Sequence, residues 1–331
     1  MTAPPPGNPL RQALWPLALL YGGVAAVRNW TFDAGLRAVH RLPVPVVSIG
    51  NLTVGGTGKT PTVAWLCERA RAAGRRPGVL ARGYGRAPGA ELNDEGTMLQ
   101  RRLPWLLQRQ DPDRRAAGER LCADGADIVV LDDGFQHRRL HRDLDVVCLD
   151  ARYPFGNGLC LPAGELREFR SGLRRADVVL LTRAGALAED QLAARAARLR
   201  QLAQEPMLPV HACEHGPADV VAQPGGAVLP LDELRGRRAV LLSAIARPES
   251  FRATAAALGV EVTAEHRFRD HHRFTAAEVA AAAAAARAAD AWLLTTEKDD
   301  ARLTAHDVER HVLRIELRFL GEPPPLSEWL L

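Results

Sequence analysis

The sequence predicts an α/β protein: a parallel-sheet domain followed by a second, smaller α/β domain on a short β linker. Three observations predict it. Uncharged Val/Leu/Ile runs alternate with longer helical stretches, as a parallel sheet covered on both faces requires. A glycine-rich loop carrying Lys-Thr follows the first run and opens a helix, which makes the domain P-loop NTPase-like. A stretch dense in Pro and Gly then separates the first set of runs from a second.

The composition agrees with a folded, soluble chain. Its 331 residues are 47% hydrophobic and 25% charged, which excludes a disordered tail or a collagen-like rod. The five cysteines, Cys67, Cys122, Cys148, Cys160 and Cys213, contain no C-x-x-C pair, so neither a disulfide framework nor a zinc ribbon is suggested and a reducing compartment fits. Basic and acidic residues nearly balance at a net +4, without an aromatic-interleaved basic stripe, so no nucleic-acid partner is expected. Of the 43 basic residues only Lys59 and Lys298 are lysine. In a chain that otherwise uses arginine, these mark places where a compact ammonium is wanted.

Taken in order, residues 1–30 form an N-terminal segment whose uncharged run from Gln12 to Val27 is bracketed by Arg11 and Arg28. It is too short to span a bilayer and is interrupted by Pro16, Gly22 and Gly23. A cleaved signal peptide would export a phosphate-binding loop to a place without ATP. Trp15, Tyr21 and Trp30 among leucines, followed by Arg28, Arg37 and Arg41, suit a helix lying in a membrane interface; a helix buried on its own domain is the alternative. Residues 31–206 form the first domain, with VPVVSIG, RPGVLARGYG, ADIVVLDDG, LDVVCLDA and ADVVLLTRA as strands and TPTVAWLCERARAAG and Glu189–Gln204 as helices. Residues 207–228 read as the linker, with PVHAC and ADVVA as two short strands, and 229–331 as the second domain. There RRAVLLSAIA, VEVTAEHRF, AWLLTTEKD and HVLRIELRFL are strand-like, and Pro248–Leu258 and the polyalanine run Ala276–Ala289 are helical.

Three groups carry chemistry. In VVSIGNLTVGGTGKTPTVAWL, backbone N–H groups of Gly55, Gly56, Thr57 and Gly58 would surround phosphate oxygens, Lys59 would meet the outer phosphates, and the Thr60 hydroxyl would reach Mg²⁺. Thr53 stands where the strict motif has glycine. In ADIVVLDDGFQH, Asp132 and Asp133 end an apolar strand where such enzymes place a second metal contact. Neighbours on a strand point oppositely, so the backbone must bend if both are used. His137 and His141 follow at helical spacing; zinc lacks a third soft ligand there, and a role in orienting phosphate or substrate fits better. The third group, Asp94, Arg167 and His271, comes from NDE, LREF and RDHHRF and could supply the base and the positive charge that phosphoryl transfer to an alcohol needs.

The motifs GNLTVGGTGKTP, LARGYGR, NDE, DDGFQHRRLHRDLDVVCLD, GNGLCLPAGELRE, RFRDHHRFT and TTEKDDARL, in this order behind an apolar segment, closely resemble those of the tetraacyldisaccharide 4′-kinases of lipid A biosynthesis. The resemblance implies ATP- and Mg²⁺-dependent phosphorylation of the 4′-hydroxyl of an acylated disaccharide 1-phosphate. The enzyme would be peripheral, on the inner-membrane surface at the cytoplasmic face, with no protein partner implied. It implies Lys59 and Thr60 on the phosphates and Mg²⁺, Asp132 and Asp133 on the metal, Asp94 as base with His271 as its dyad partner, and Arg167, Gln136 and His137 lining the site. It also implies two α/β/α domains joined by a two-stranded linker. The sequence departs from the family pattern at SAIARP, at Asn93 and at Glu165. The rival expectation is a P-loop nucleotide switch of the partitioning, metallochaperone or GTPase type that acts by binding partners. Glu297-Lys298-Asp299-Asp300 superficially resembles a guanine-reading motif but lacks its asparagine, and a switch leaves the apolar segment and the acid-base set unexplained.

Overall fold

The computed structural model describes residues 9–303 and 307–325. In chain order the first elements are α1 (Pro9–Gln12), α2 (Trp15–Asp33), β1 (Val46–Gly50), α3 (Lys59–Ala72), β2 (Pro77–Ala81), α4 (Asp94–Arg102), β3 (Leu107–Gln110) and α5 (Arg114–Ala123). There follow β4 (Ile128–Asp132), β5 (Leu144–Asp150), β6 (Val178–Thr182), α6 (Glu189–Ala203), β7 (Val210–Gln223) and β8 (Ala227–Leu229). The last are β9 (Arg238–Ser243), α7 (Pro248–Ala257), β10 (Glu261–Arg267), α8 (Ala276–Ala288), β11 (Trp292–Thr296), α9 (Glu297–Asp300) and β12 (Arg310–Phe319).

The chain divides into two compact units, and the division does not follow sequence order. Unit 1 takes the chain up to Tyr84, Trp105–His215 and the stretch from Leu317; unit 2 takes Gly85–Pro104 and Gly216–Glu316. Asp94, expected in the first domain, therefore belongs to unit 2. The cause is a set of ion pairs that no local pattern reveals. From α4, Arg101 pairs with Asp300, and Arg102 reaches Glu297 at 3.6 Å. PVHAC and ADVVA are halves of one strand, β7, in which the chain passes from unit 1 to unit 2 after His215.

In unit 1 the strand order is β7-β6-β5-β1-β4-β2-β3, with each neighbouring pair parallel. Strands β1, β2, β4 and β6 are buried along their whole length, as continuous apolar runs covered on both faces require. One core gathers Val46, Leu80, Leu121, Val129 and Leu131, and another gathers Leu52, Phe135, Val147, Leu149, Leu181 and Leu199. Ile49 lies opposite Asp132 in the β1–β4 register, so the end of β4 stands beside the start of the glycine-rich loop. The crossover from β1 to β4 thus places the site at the C-terminal strand edge.

Unit 2 orders its strands β10-β9-β11-β12-β7, with β8 paired to β7. Residues along β9 alternate between two cores: Ala239 and Leu241 join Phe251 and Leu294, whereas Val240 and Leu242 join Val279, Ala282 and Leu293. That period of two is the strand geometry, with a helix side served by each face.

Helix α2 buries only a narrow stripe, Ala18, Gly22 and Phe32. A Cβ on Gly22 would stand 2.5 Å from the Phe169 ring, so glycine permits the close packing. Trp15, Leu17, Leu19, Leu20, Val24, Val27 and Trp30 remain exposed. Neither a fully buried helix nor a spanning one is formed: among the described residues no helix is long and apolar enough to cross a membrane.

Candidate active site

The glycine-rich loop runs from the end of β1 to the first turn of α3, with left-handed backbone at Gly55 (φ 103°) and Gly58 (φ 83°). Both angles suit glycine alone. A Cβ on Gly58 would also fall 2.1 Å from the His215 ring. Thr53 has no such need, because it forms an antiparallel bridge with Leu166, and that explains why the variant motif tolerates it. Val54 N–H donates to the Glu165 carbonyl at 2.7 Å, so Glu165 takes part here through its backbone. Asn51 Nδ2 donates to Thr57 Oγ1 at 3.0 Å inside the loop. Lys59 and Thr60 open α3, where N–H groups and the helix dipole favour an anion.

The backbone does bend between the paired aspartates: Asp133 is left-handed, φ 52°. Asp132 stays buried at the end of β4. The Asp133 carboxylate lies 3.4 Å from Lys59 Nζ and accepts from Arg167 Nη1 at 2.7 and 2.8 Å, while Arg114 Nη1 donates to its carbonyl at 3.1 Å. Burial raises the Asp133 carboxyl, but Lys59 and Arg167 outweigh it, and the net shift is below the usual carboxylate range. Gln136 Nε2 donates to the Asn51 carbonyl and to Glu168 Oε1, both at 2.9 Å. Buried Glu168 also accepts from Arg175 at 2.9 Å and from Asn29 of α2 at 2.6 Å. His137 and His141 lie in irregular loop backbone rather than on a helix, so their spacing does not put them on one face. Burial and the neighbouring arginines, Arg114 first, push His137 down to about 4. It is neutral at pH 7. His141 Nε2 is 3.3 Å from Asp143.

A second cluster forms within unit 2. Asn93 caps α4 by accepting from the Gly96 N–H at 2.9 Å, which puts Asp94 in the first turn and accounts for asparagine at this departure from the family pattern. Asp94 Oδ2 accepts from Arg302 Nε at 2.7 Å and lies 3.5 Å from His271 Nδ1; its other carboxylate oxygen is outside these contacts. His271 is left-handed at φ 62°, and its N–H donates to the carbonyl of Ala244, in SAIARP, at 3.3 Å. Lys298 Nζ is 3.3 Å from His271 Nε2 and 3.0 Å from Asp270 Oδ1. Arg302 Nη2 is 3.1 Å from Nδ1. A neutral imidazole has one donor and one acceptor nitrogen. With the proton on Nδ1 both are used, Nδ1–H toward Asp94 and Nε2 toward Lys298. With the proton on Nε2 only the Arg302 contact is satisfied, so the first tautomer fits better. Burial raises the Asp94 carboxyl, but Arg302 and then His271 outweigh it and hold it below the usual range.

The sequence profile described as tetraacyldisaccharide-1-P 4′-kinase matches residues 10–331. The chain belongs to this family. The tetraacyldisaccharide 4′-kinase of Anaeromyxobacter sp. (strain Fw109-5) is 47% identical over 330 residues, covering 94% of this chain and 88% of the relative. That of Geobacter sulfurreducens is 39% identical over 310 residues, covering 87% and 83%. Among solved structures, LpxK from Aquifex aeolicus, crystallised in complex with ATP, superposes with a TM-score of 0.77 at 28% identity over 97% of this chain and 98% of that one. Membership of a kinase family favours the enzyme over the partner-binding switch.

Within unit 1 the structure gathers Gly55, Gly56, Thr57, Gly58, Lys59, Thr60, Asp132, Asp133, Gln136, His137 and Arg167 on the β1, β4 and α3 ends and the segment through Arg167. Within unit 2 it gathers Asp94 and His271. Sequence reading left out Arg114, Glu168 and Arg302 as site residues and did not join Lys298 to His271. Glu168 directly follows Arg167, and the scarcity of lysine marked Lys298; Arg302 stands four residues after it in the motif TTEKDDARL, with nothing in its spacing to single it out.

Proposed function

We propose that this chain transfers the γ-phosphoryl group of ATP to the 4′-hydroxyl of a tetraacylated glucosamine disaccharide 1-phosphate. The observation that carries the reading is the Lys59–Asp133–Arg167 set beside the glycine-rich loop: two cations held on one carboxylate where phosphate charge must be met. Lys59 and Arg167 exchange Asp133 for phosphate oxygens, and the loop N–H groups fix the β- and γ-phosphates. Among the described residues no three His, Cys, Asp or Glu side chains form a cage of their own. The donors beside the loop are the Thr60 hydroxyl and the Asp132 and Asp133 carboxylates, hard oxygens that suit Mg²⁺, which takes one or two carboxylates with phosphate oxygens and water. Thr60, Asp132 and Asp133 would hold it, and it would neutralise charge on the transferred group. Asp94, ionised and with one oxygen outside the Arg302 and His271 contacts, accepts the sugar hydroxyl proton, and His271 orients it. Gln136 and His137 line the phosphate side.

The exposed apolar side of α2, followed by exposed Arg37 and Arg41, rests on the inner-membrane surface at the cytoplasmic face and meets the acyl chains there. The test is incubation with γ-labelled ATP, Mg²⁺ and the disaccharide 1-phosphate in detergent. A labelled bisphosphorylated lipid is expected; ATP turnover without labelled lipid overturns the reading. Serine at Leu20, Val24 and Val27 is expected to raise the KM for lipid in vesicles severalfold and to leave that for ATP unchanged.

A further inference from the structure

Behind the glycine-rich loop lies a group that the proposed reaction does not use. Strand β6 ends in Thr182, and Arg183 follows with a left-handed backbone, φ 56°. Thr182 Oγ1 donates to the Thr57 carbonyl at 2.9 Å. Arg183 Nη2 donates to the Gly56 carbonyl at 2.6 Å, and its Nη1 donates to Asp150 Oδ2 at 2.7 Å. Asp150, at the end of β5, is itself gripped by Arg152 at 2.8 Å. The His215 ring closes the back of the loop against Gly58, with a buried Nε2 that has no hydrogen-bond partner among the described residues.

We propose that Thr182 and Arg183 are positioning residues that hold the carbonyls of Thr57 and Gly56 away from the phosphate side. A peptide unit is planar, so fixing a carbonyl fixes the direction of the next N–H. Pinning the Gly56 and Thr57 carbonyls thereby aims the N–H groups of Thr57 and Gly58, two of the donors that face the triphosphate. A loop with left-handed glycines at Gly55 and Gly58 has many other conformations open to it. The two side chains remove them before the nucleotide arrives, so binding costs less ordering. Asp150 orients Arg183, as a bidentate guanidinium keeps one face for a carboxylate and one for a carbonyl.

The inference rests on the reading of this loop as the ATP site, and the test separates the two. ATP binding and steady-state kinetics are measured for Thr182→Val, Thr182→Ser, Arg183→Gln and Asp150→Asn, each with a thermal melt, beside Lys59→Ala. Thr182→Val and Arg183→Gln are expected to raise Kd and KM for ATP on the order of tenfold each, with lipid KM unchanged. Thr182→Ser keeps the hydroxyl and stays at parental affinity. Asp150→Asn acts in the same direction as Arg183→Gln, and the double variant is no worse than the poorer single. Parental ATP affinity in both Thr182→Val and Arg183→Gln, with Lys59→Ala inactive, overturns the clamp and leaves the ATP site standing. Full turnover in Lys59→Ala overturns the ATP site itself. Should Arg183→Gln fail to fold, the Thr182 pair decides: equal affinity of valine and serine variants overturns the proposal.

Discussion

The two clusters differ in how much of their geometry is built before any ligand arrives. In unit 1 the Lys59 side chain is 15% exposed, and the loop beside it is held by buried side chains and glycine backbone. In unit 2 the His271 side chain is 61% exposed, and its contact with Asp94 is a long 3.5 Å. A triphosphate carries the same charge in every turnover, so rigid donors suit it. The acceptor proton leaves only in the transition state, and a base that tightens on the substrate suits that. On the proposed function, the contrast is between a preformed anion site and an acid-base pair that substrate completes.

The sharpest way to break this comparison is Lys59→Ala. Turnover is expected to fall about 10³-fold or more, as for loss of a major charge-stabilising donor. The melt should be nearly unchanged, because Arg167 still neutralises Asp133. Substantial remaining turnover would remove the preformed site from the mechanism.

Next in size is the pair in unit 2. Asp94→Asn and His271→Ala should each lower kcat by about 10²–10⁴ while ATP affinity stays at the parental value. The double variant should match the worse single, since the two act as one unit. Multiplicative losses would make them separate groups, and a matching loss of ATP affinity would erase the distinction between the clusters.

Legibility in the sequence follows the same division. The phosphate site is built from short contiguous stretches at strand ends, so strand, loop, Lys-Thr and paired aspartates could be read directly, and most of the sheet with them. Strand β3, LQRQ, is polar and lies at the sheet edge, so it lacks an apolar run to announce it. Helices α4 and α5 are short and rich in charge; their caps, Asn93 and Asp113, are their clearest local signs. The proposed acid-base cluster draws on Asp94, on His271 and on the Lys298–Arg302 stretch, three separate parts of the chain, and only the family resemblance joined the first two. Arg302 is tied to Asp94 by an ion pair across 208 positions, which no periodicity can encode.

A third expectation tests shielding through acid. Burial, then Arg183, pushes His215 down to about 4, well below the ordinary imidazole value of about 6.5. Its folded value is the depressed one, so the unfolded chain binds the extra proton between those limits. The associated stability is therefore complete above pH 6.5 and lost as pH falls toward 4, by up to about 3 kcal/mol. Urea unfolding of the parent and of His215→Gln at pH 7 and pH 5 checks this. The parent should lose more stability on acidification than the variant, and equal losses would show that burial at His215 has no such effect.

The smallest expected effect sharpens the open cluster. If His271 carries its proton on Nδ1, as satisfying both ring nitrogens requires, Lys298 holds that choice by donating to Nε2 at 3.3 Å. Lys298→Met removes this donor and leaves Arg302, 3.1 Å from Nδ1, as the remaining cationic contact of the ring. The proton then favours Nε2, and Asp94 loses its imidazole partner without losing Arg302. A fall in kcat of about three- to tenfold is expected, smaller than that of His271→Ala because part of the population keeps the working tautomer. KM for ATP and for lipid should hold. Lys298→Arg keeps a donor near Nε2 and should recover much of the rate. Lys298→Met in the His271→Ala background should add nothing, since the ring through which the lysine acts is gone; a further loss there would place Lys298 on the substrate itself rather than on the histidine.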